Sequence, residues 1–253
     1  MVTALDYPIT VFVIGLIAQC LAAYAGDFLR KRGRGAGGAA KDDFAIILPG
    51  TLTLLSVVIG FCFSMAVSRY DQRKDYEEAE ANAIGTEYVR ADLLPAAEGA
   101  RIRSLLRQYT DQRVAFYQHG NTERLSNVAA ETLRLQGELW SAVAAPAGTQ
   151  STPATALAAW GMNDVLNSQG YTQAAWWNRL PVEAWGLMVL VAVACNFLLG
   201  YSEWRVGRRI LVVLPLVISV SLFLIADVDS PRGGLIRVVP QNLIAVSESI
   251  RAP

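Results

Sequence analysis

Residues 50–95 read GTLTLLSVVIGFCFSMAVSRYDQRKDYEEAEANAIGTEYVRADLLP, and the rest of the chain is organised around this stretch. From Phe44 to Val67 the sequence is almost continuously apolar and long enough to cross a bilayer. After Ser68 it turns charged, with Arg69, Asp71, Arg73, Lys74, Asp75, Glu77, Glu78 and Glu80 in quick succession. No Gly or Pro interrupts the change, and helix formers continue through it. The expectation is one helix that leaves the membrane and keeps going, roughly 70 Å long at about 1.5 Å per residue.

Composition agrees with a membrane protein. Hydrophobic residues make up 53% of the 253, charged residues 17%, and the formal net charge is zero. Mean hydropathy is +0.31. There is no basic excess of the kind nucleic-acid binding needs. Cys20, Cys62 and Cys195 each lie in an apolar run without zinc or redox spacing, and read as small core hydrophobes.

Working outward, the first apolar run is Pro8 to Phe28. Its positive charges (Arg30, Lys31, Arg32, Arg34) follow it, the reverse of a secretory signal, so it reads as an uncleaved span. The linker RKRGRGAGGAAKDD is glycine-rich and reads as flexible. In the second span Gly60, Ser64 and Ser68 form a stripe of small residues that predicts helix packing. Residues 68–180 carry no span and are helical in period. Ile84, Tyr88 and Ala91 share a face, as do Ile102, Leu105, Leu106, Tyr109 and Phe116 in a helix from Ala97 to Gln118. His119-Gly120-Asn121 reads as a turn, with His119 a solvated cap. A further helix carries Leu125, Val128, Thr132, Leu135 and Leu139 in heptad rhythm, and Pro146 to Pro153 reads as loop. A fourth segment, Ala154 to Tyr171, brings Leu157, Trp160 and Val165. Glu77, Glu78, Glu80 and Glu87 read as a solvated face. Trp176, Trp177 and Trp185 flank the start of a third span, Val182 to Leu199, as interfacial aromatics. A fourth span, Ile210 to Ala226, precedes the tail. The fold class is therefore all-α: a polytopic membrane protein with four transmembrane helices and an extramembrane helical bundle built on the second. The segments are 1–67, 68–180, 181–226 and 227–253.

Loop charges set an orientation. The first short loop holds five Lys/Arg and the second (GYSEWRVGRR) three, which places both in the cytoplasm and the helical domain in the periplasm of a bacterial inner membrane.

Three pieces, GTLTLLSVVIGFCFSMAVSRYDQRK, EANAIGTEYVRADLLP and ADVDSPRGGLIRVVPQNL, resemble the bacterial bestrophin-like domain proteins, membrane proteins of unassigned function. Through VVIGFCFSMAVSRY the second span also resembles true bestrophins, which are pentameric anion channels. The resemblance implies a homo-oligomer, with a pentamer foremost, whose partners are its own copies, membrane lipid and inorganic ions. It implies a neck lined by three side chains of the second helix, ending at the Phe of a Gly-Phe pair. On this chain those positions are Thr53, Val57 and Phe61, with Thr53 standing where bestrophins keep an apolar residue. It also implies a cytoplasmic domain, opposite to the reading from the loops.

Helical geometry puts the same three residues on one stripe, which continues through Ser68, Gln72, Asp75 and Ala79. Around an axis this would be an apolar constriction opening into a polar vestibule, and such constrictions gate by dewetting. The alternative is that the stripe packs against the other spans. Arg69 and Arg73 lie off it, so it offers no cation to an anion, and Asp75 would favour cations. Asp227 and Asp229 are a candidate cation site, calcium being the one cofactor the resemblance brings to mind; the competing reading is a turn fixed by Ser230, Pro231, Gly233 and Gly234. The span centres hold no ionisable group, against a coupled transporter. Gln19 and Asn196 read as interhelical hydrogen-bonding groups. No glycine loop with Lys, HExxH or nucleophile elbow appears, against an enzyme. Two functions remain: an ion channel, or a non-conducting scaffold or sensor whose helical domain binds a partner or ligand.

Overall fold

The computed structural model describes residues 7–32, 39–118, 122–149, 152–202 and 210–252. These residues form helices α1 (Pro8–Arg32), α2 (Ala39–Arg90), α3 (Ala96–Gln118), α4 (Thr122–Thr149), α5 (Pro153–Trp177), α6 (Val182–Tyr201), α7 (Ile210–Asp229) and α8 (Gln241–Ser249). A 3₁₀ turn, Ala91–Leu93, follows α2. No strand occurs among the described residues. The all-α expectation holds, and so does the single long helix. With no Gly or Pro at the apolar-to-charged switch, α2 runs unbroken for 52 residues, roughly 80 Å at about 1.5 Å per residue.

The helices extend beyond several expected ends. Both ends of the expected flexible linker are helical, in the last turn of α1 and the first of α2. Its middle, the turn at His119 and the loop with Arg205, Arg208 and Arg209 lie outside the described residues. α4 runs through Pro146 to Thr149, where a loop was expected. Proline removes one backbone donor, and near a helix end that loss is small. α5 starts where Thr152 and Thr155 cap each other's backbone N–H in a reciprocal box, with Pro153 in the first turn. The helix α8 was not expected at all.

The chain divides into two compact units. One comprises the described residues of Met1–Tyr70 and Arg179–Arg237. Four segments are long and apolar enough to cross a membrane, in α1, α2, the α5–α6 region and α7. In this unit α1 packs on α6 and α7. From α2, Leu55, Cys62 and Ala66 join a buried cluster with Met188, Ala192 and Cys195 of α6 and Ile218, Leu222 and Ile225 of α7. Lipid gives little hydrophobic drive between helices, so close backbone packing and hydrogen bonds must hold them. Both are present. A Cβ on Gly26 would collide with the Phe197 carbonyl, and one on Gly200 with the Ala23 carbonyl, so this glycine pair lets α1 and α6 touch backbone to backbone. Asn196 Nδ2 donates to Gln19 Oε1 at 3.0 Å, and Gln19 Nε2 donates to Ser219 Oγ at 3.1 Å, tying α6, α1 and α7 together. Ile9, Val13, Ile14, Ile17 and Leu21 remain exposed on α1, as a lipid-facing side requires.

The other unit comprises the described residues of Asp71–Asn178 and Val238–Pro253. α3 packs on α4 and α8, and α4 packs on α5. The apolar stripes expected from periodicity form its core: Ile84, Ile102, Leu106, Tyr109, Leu135 and Leu139 are all buried. α5 departs from expectation. Leu157 and Trp160 are exposed, and the face that packs is the small-residue one with Ala158, Gly161, Met162 and Val165. Of the three tryptophans expected at the interface, Trp177 alone is exposed. Trp176 is buried edge-on against Phe116 and Tyr117, and Trp185 is buried in the cluster of the first unit.

Candidate functional site

The stripe on α2 is the site the sequence points to, and the fold leaves it uncovered. Thr53, Val57 and Phe61 are all exposed; Phe61 keeps 69% of its surface. The residues of α2 that face α6 and α7 are Leu55, Cys62 and Ala66, at the complementary helical positions. Within the chain, then, the stripe is not the packing face. Thr53 departs from an apolar neck less than its name implies. Its hydroxyl donates to the Pro49 carbonyl at 2.9 Å, which turns its polar atom onto the helix backbone.

Further along α2, Ser68, Gln72 and Asp75 are exposed as well. Gly60 and Ser64 are on the uncovered side, and a Cβ added at Gly60 would meet nothing within 4 Å. The small-residue stripe therefore packs on no helix among the described residues. Arg73 lies off the stripe and is buried, donating to the Ala175 carbonyl at 3.4 Å.

The opposite side of α2 in the second unit is where the sequence misled. Glu77, Glu80 and Glu87 are buried, and Glu78 alone of the four acids is exposed. The solvated-face expectation is thus overturned, because each buried acid is met by a different chemistry. Glu80 accepts from Arg113 of α3 and from the Thr172 hydroxyl at 3.0 Å. Burial alone would push Arg113 down; the Glu80 carboxylate more than offsets this and holds it above its usual value. Burial, reinforced by the Glu80 charge, pushes the Tyr109 and Tyr117 phenols above their usual range. Glu77 holds α8: it accepts from Leu243 N at 2.9 Å and Asn242 Nδ2 at 2.7 Å, placing its carboxylate at the positive end of that helix. Tyr88 and Arg107 secure the far end through the Ile250 carbonyl. Glu87 has no hydrogen-bond partner for either oxygen. Burial pushes it up to about 8, Arg90 pulling against this and Asp164 adding to it.

Asp227 and Asp229 sit in the last turn of α7, which runs past the expected span end at Ala226 to include them. Asp227 accepts from Leu235 N at 2.6 Å and Ile236 N at 2.9 Å, and Asp229 from Leu180 N at 3.1 Å. Their carboxylates thus pin the turn after α7 and the start of α6. Among the described residues no group of three or more His, Cys, Asp or Glu is placed to hold a metal ion.

A family model, the Bestrophin-like domain, matches residues 16–243. The chain belongs to the Bestrophin-like family. No protein of curated function matches it by sequence. Solved structures similar to this bestrophin-like protein include bacterial bestrophin homologues. A bestrophin homologue from Klebsiella pneumoniae with one tryptophan replaced by alanine has a TM-score of 0.66 at 14% identity, over 94% of this chain and 93% of the other. A zinc-phased structure of that homologue gives 0.62 at 15%, over 97% and 99%. A leucine-to-alanine variant described as a membrane protein gives 0.65 at 15%, over 93% and 98%. At such identity the likeness establishes that the bestrophin-like protein shares their fold.

Proposed function

We propose that this bestrophin-like protein is a homo-oligomeric ion channel, a pentamer foremost, with Thr53, Val57 and Phe61 lining its constriction and Ser68, Gln72 and Asp75 its vestibule. The observation that carries this is the uncovered α2 stripe. Its apolar members face away from α6 and α7, and it turns polar along the same helix. Copies of the chain arranged around an axis would bring the stripes together, with Phe61 as the bulkiest narrow point. Family membership and the shared fold support the reading. The stripe carries Asp75 and no cationic side chain, so the reading includes no preference for anions. The chain would sit in the bacterial inner membrane, in contact with lipid.

Native mass spectrometry of the detergent-solubilised protein comes first. A ring of about five subunits is what the pore needs. Flux through reconstituted Phe61→Ala protein is the direct test, and the expected result is a rise as the apolar barrier loses its largest side chain. Unchanged flux would remove these residues from the neck. A monomer or dimer would favour a non-conducting scaffold or sensor.

A further inference from the structure

The second unit contains a cavity of about 440 Å³ whose walls are α2 and α5. From α2 it is lined by Asn82, Thr86 and Arg90, four residues apart and so on one face. From α5 it is lined by Asp164, Asn167 and Ser168. One guanidinium, one carboxylate, two amides and three hydroxyls (Thr86, Ser168 and Tyr171) line a space of the size small ligands occupy. Ser168 donates to Val165 O at 2.8 Å, which leaves its oxygen free to accept.

The two charges are under-used by the protein. Arg90 has one carboxylate within ion-pair reach among the described residues, Glu87 at 3.9 Å, and makes no hydrogen bond to it. Its guanidinium is held near the Trp160 ring, 6.0 Å from the centroid, and its side chain is only 22% exposed. Gly161 lets this pair lie against α5, since a Cβ there would run into both the Glu87 carboxylate and the Arg90 guanidinium. Asp164 is half-buried and pairs with neither Arg90 nor another cation among the described residues. Half-desolvated charges gain most from a partner that brings its own opposite charge. A simple anion would answer Arg90 and meet Asp164 as a like charge, and a simple cation the reverse.

We propose that this cavity binds a small zwitterion of the amino-acid class, its carboxylate on Arg90 and its ammonium on Asp164, between amide and hydroxyl walls. The assignment holds whether or not the α2 stripe conducts, so the two can fail separately.

The test is calorimetric titration of the full-length protein in detergent with glycine, L-serine and L-asparagine. Propionate and ethanolamine, with one charge each, serve as comparisons. At least one amino acid should bind saturably, and each single-charge probe about tenfold or more weaker. Arg90→Gln and Asp164→Asn should each weaken amino-acid binding by about ten- to a hundredfold. Asn82→Leu, at an exposed position, should weaken it without touching either charge. Should Arg90→Gln fail to fold by circular dichroism, the other two variants decide. The proposal is overturned if no amino acid saturates at millimolar concentration, if propionate binds as tightly, or if the folded variants bind like the parent.

Discussion

Replacing Glu87 with Gln should flatten the pH dependence of stability. The side chain is fully buried, neither oxygen is hydrogen-bonded, and the nearest cation, Arg90, is 3.9 Å away. Its proton is held up to about 8 in the folded chain, against an ordinary value of 4.5. Between those values the unfolded chain has lost the proton and the folded chain has kept it. Folding then takes up a proton, so stability falls as pH rises, by up to about 1.4 kcal/mol per pH unit. The contribution is fully present below the unfolded value and gone once the pH passes the folded one. From about pH 4 to about pH 7 the loss comes to about 3 kcal/mol. Glutamine has the shape of the protonated acid and no proton to lose. The variant should therefore match the parent at about pH 4 and exceed it by about 3 kcal/mol at about pH 7. Unfolding of both proteins in the same detergent at about pH 4, 7 and 8.5 measures the difference between the two slopes, with the background titration common to both cancelling. Parallel curves would refute the reasoning, since they would mean that Glu87 is ionised in the folded chain and stabilised by a cation.

Three further outcomes follow from contacts described above. Glu77→Ala removes the carboxylate that accepts from Leu243 N and Asn242, at a cost of about 3 kcal/mol; hydrogen exchange should show residues 241–250 losing protection while α4 keeps its own. Gly200→Val forces α1 off α6 and should lower stability by about 2 kcal/mol, read as a lower unfolding temperature in detergent. Asp227→Asn weakens the two amide bonds that pin the turn after α7, so it should lower the unfolding midpoint, while adding calcium or a chelator to the parent should leave that midpoint where it is.

What was legible in the sequence follows from the range of the forces involved. The α2 rod is a local property: helix formers with no Gly or Pro from Phe61 to Ile84, across the apolar-to-charged switch, give a helix whatever surrounds it. The buried stripes of α3 and α4 were legible because one apolar side chain resembles another to the core it enters. The acids of α2 were not. Glu77, Glu78, Glu80 and Glu87 are the same residue type on the same helix, yet one is solvated and three are buried. Their fates depend on Arg113, 33 positions on from Glu80, and on Leu243, 166 positions on from Glu77. No local pattern encodes those pairings. The same distance hid α8, whose nine residues are too few to be stable alone and are held by Glu77, Tyr88, Arg107 and Asp111.

Set against each other, the two sides of α2 explain why this helix carries both proposals. On one side Glu77 and Glu80 are committed to partners within the chain, and breaking the Glu80–Arg113 pair would cost about 3–5 kcal/mol. Those contacts fix how the helix is rotated in its own unit. In the membrane segment Leu55, Cys62 and Ala66 fix the rotation in the same way against α6 and α7. Held by those three residues, this segment has no freedom to turn Val57 and Phe61 inward. An exposed Phe61 is therefore a consequence of buried contacts elsewhere on the helix, and a second copy of the chain or lipid must cover it. Subunit number decides between those two coverings, which is why it precedes every flux measurement.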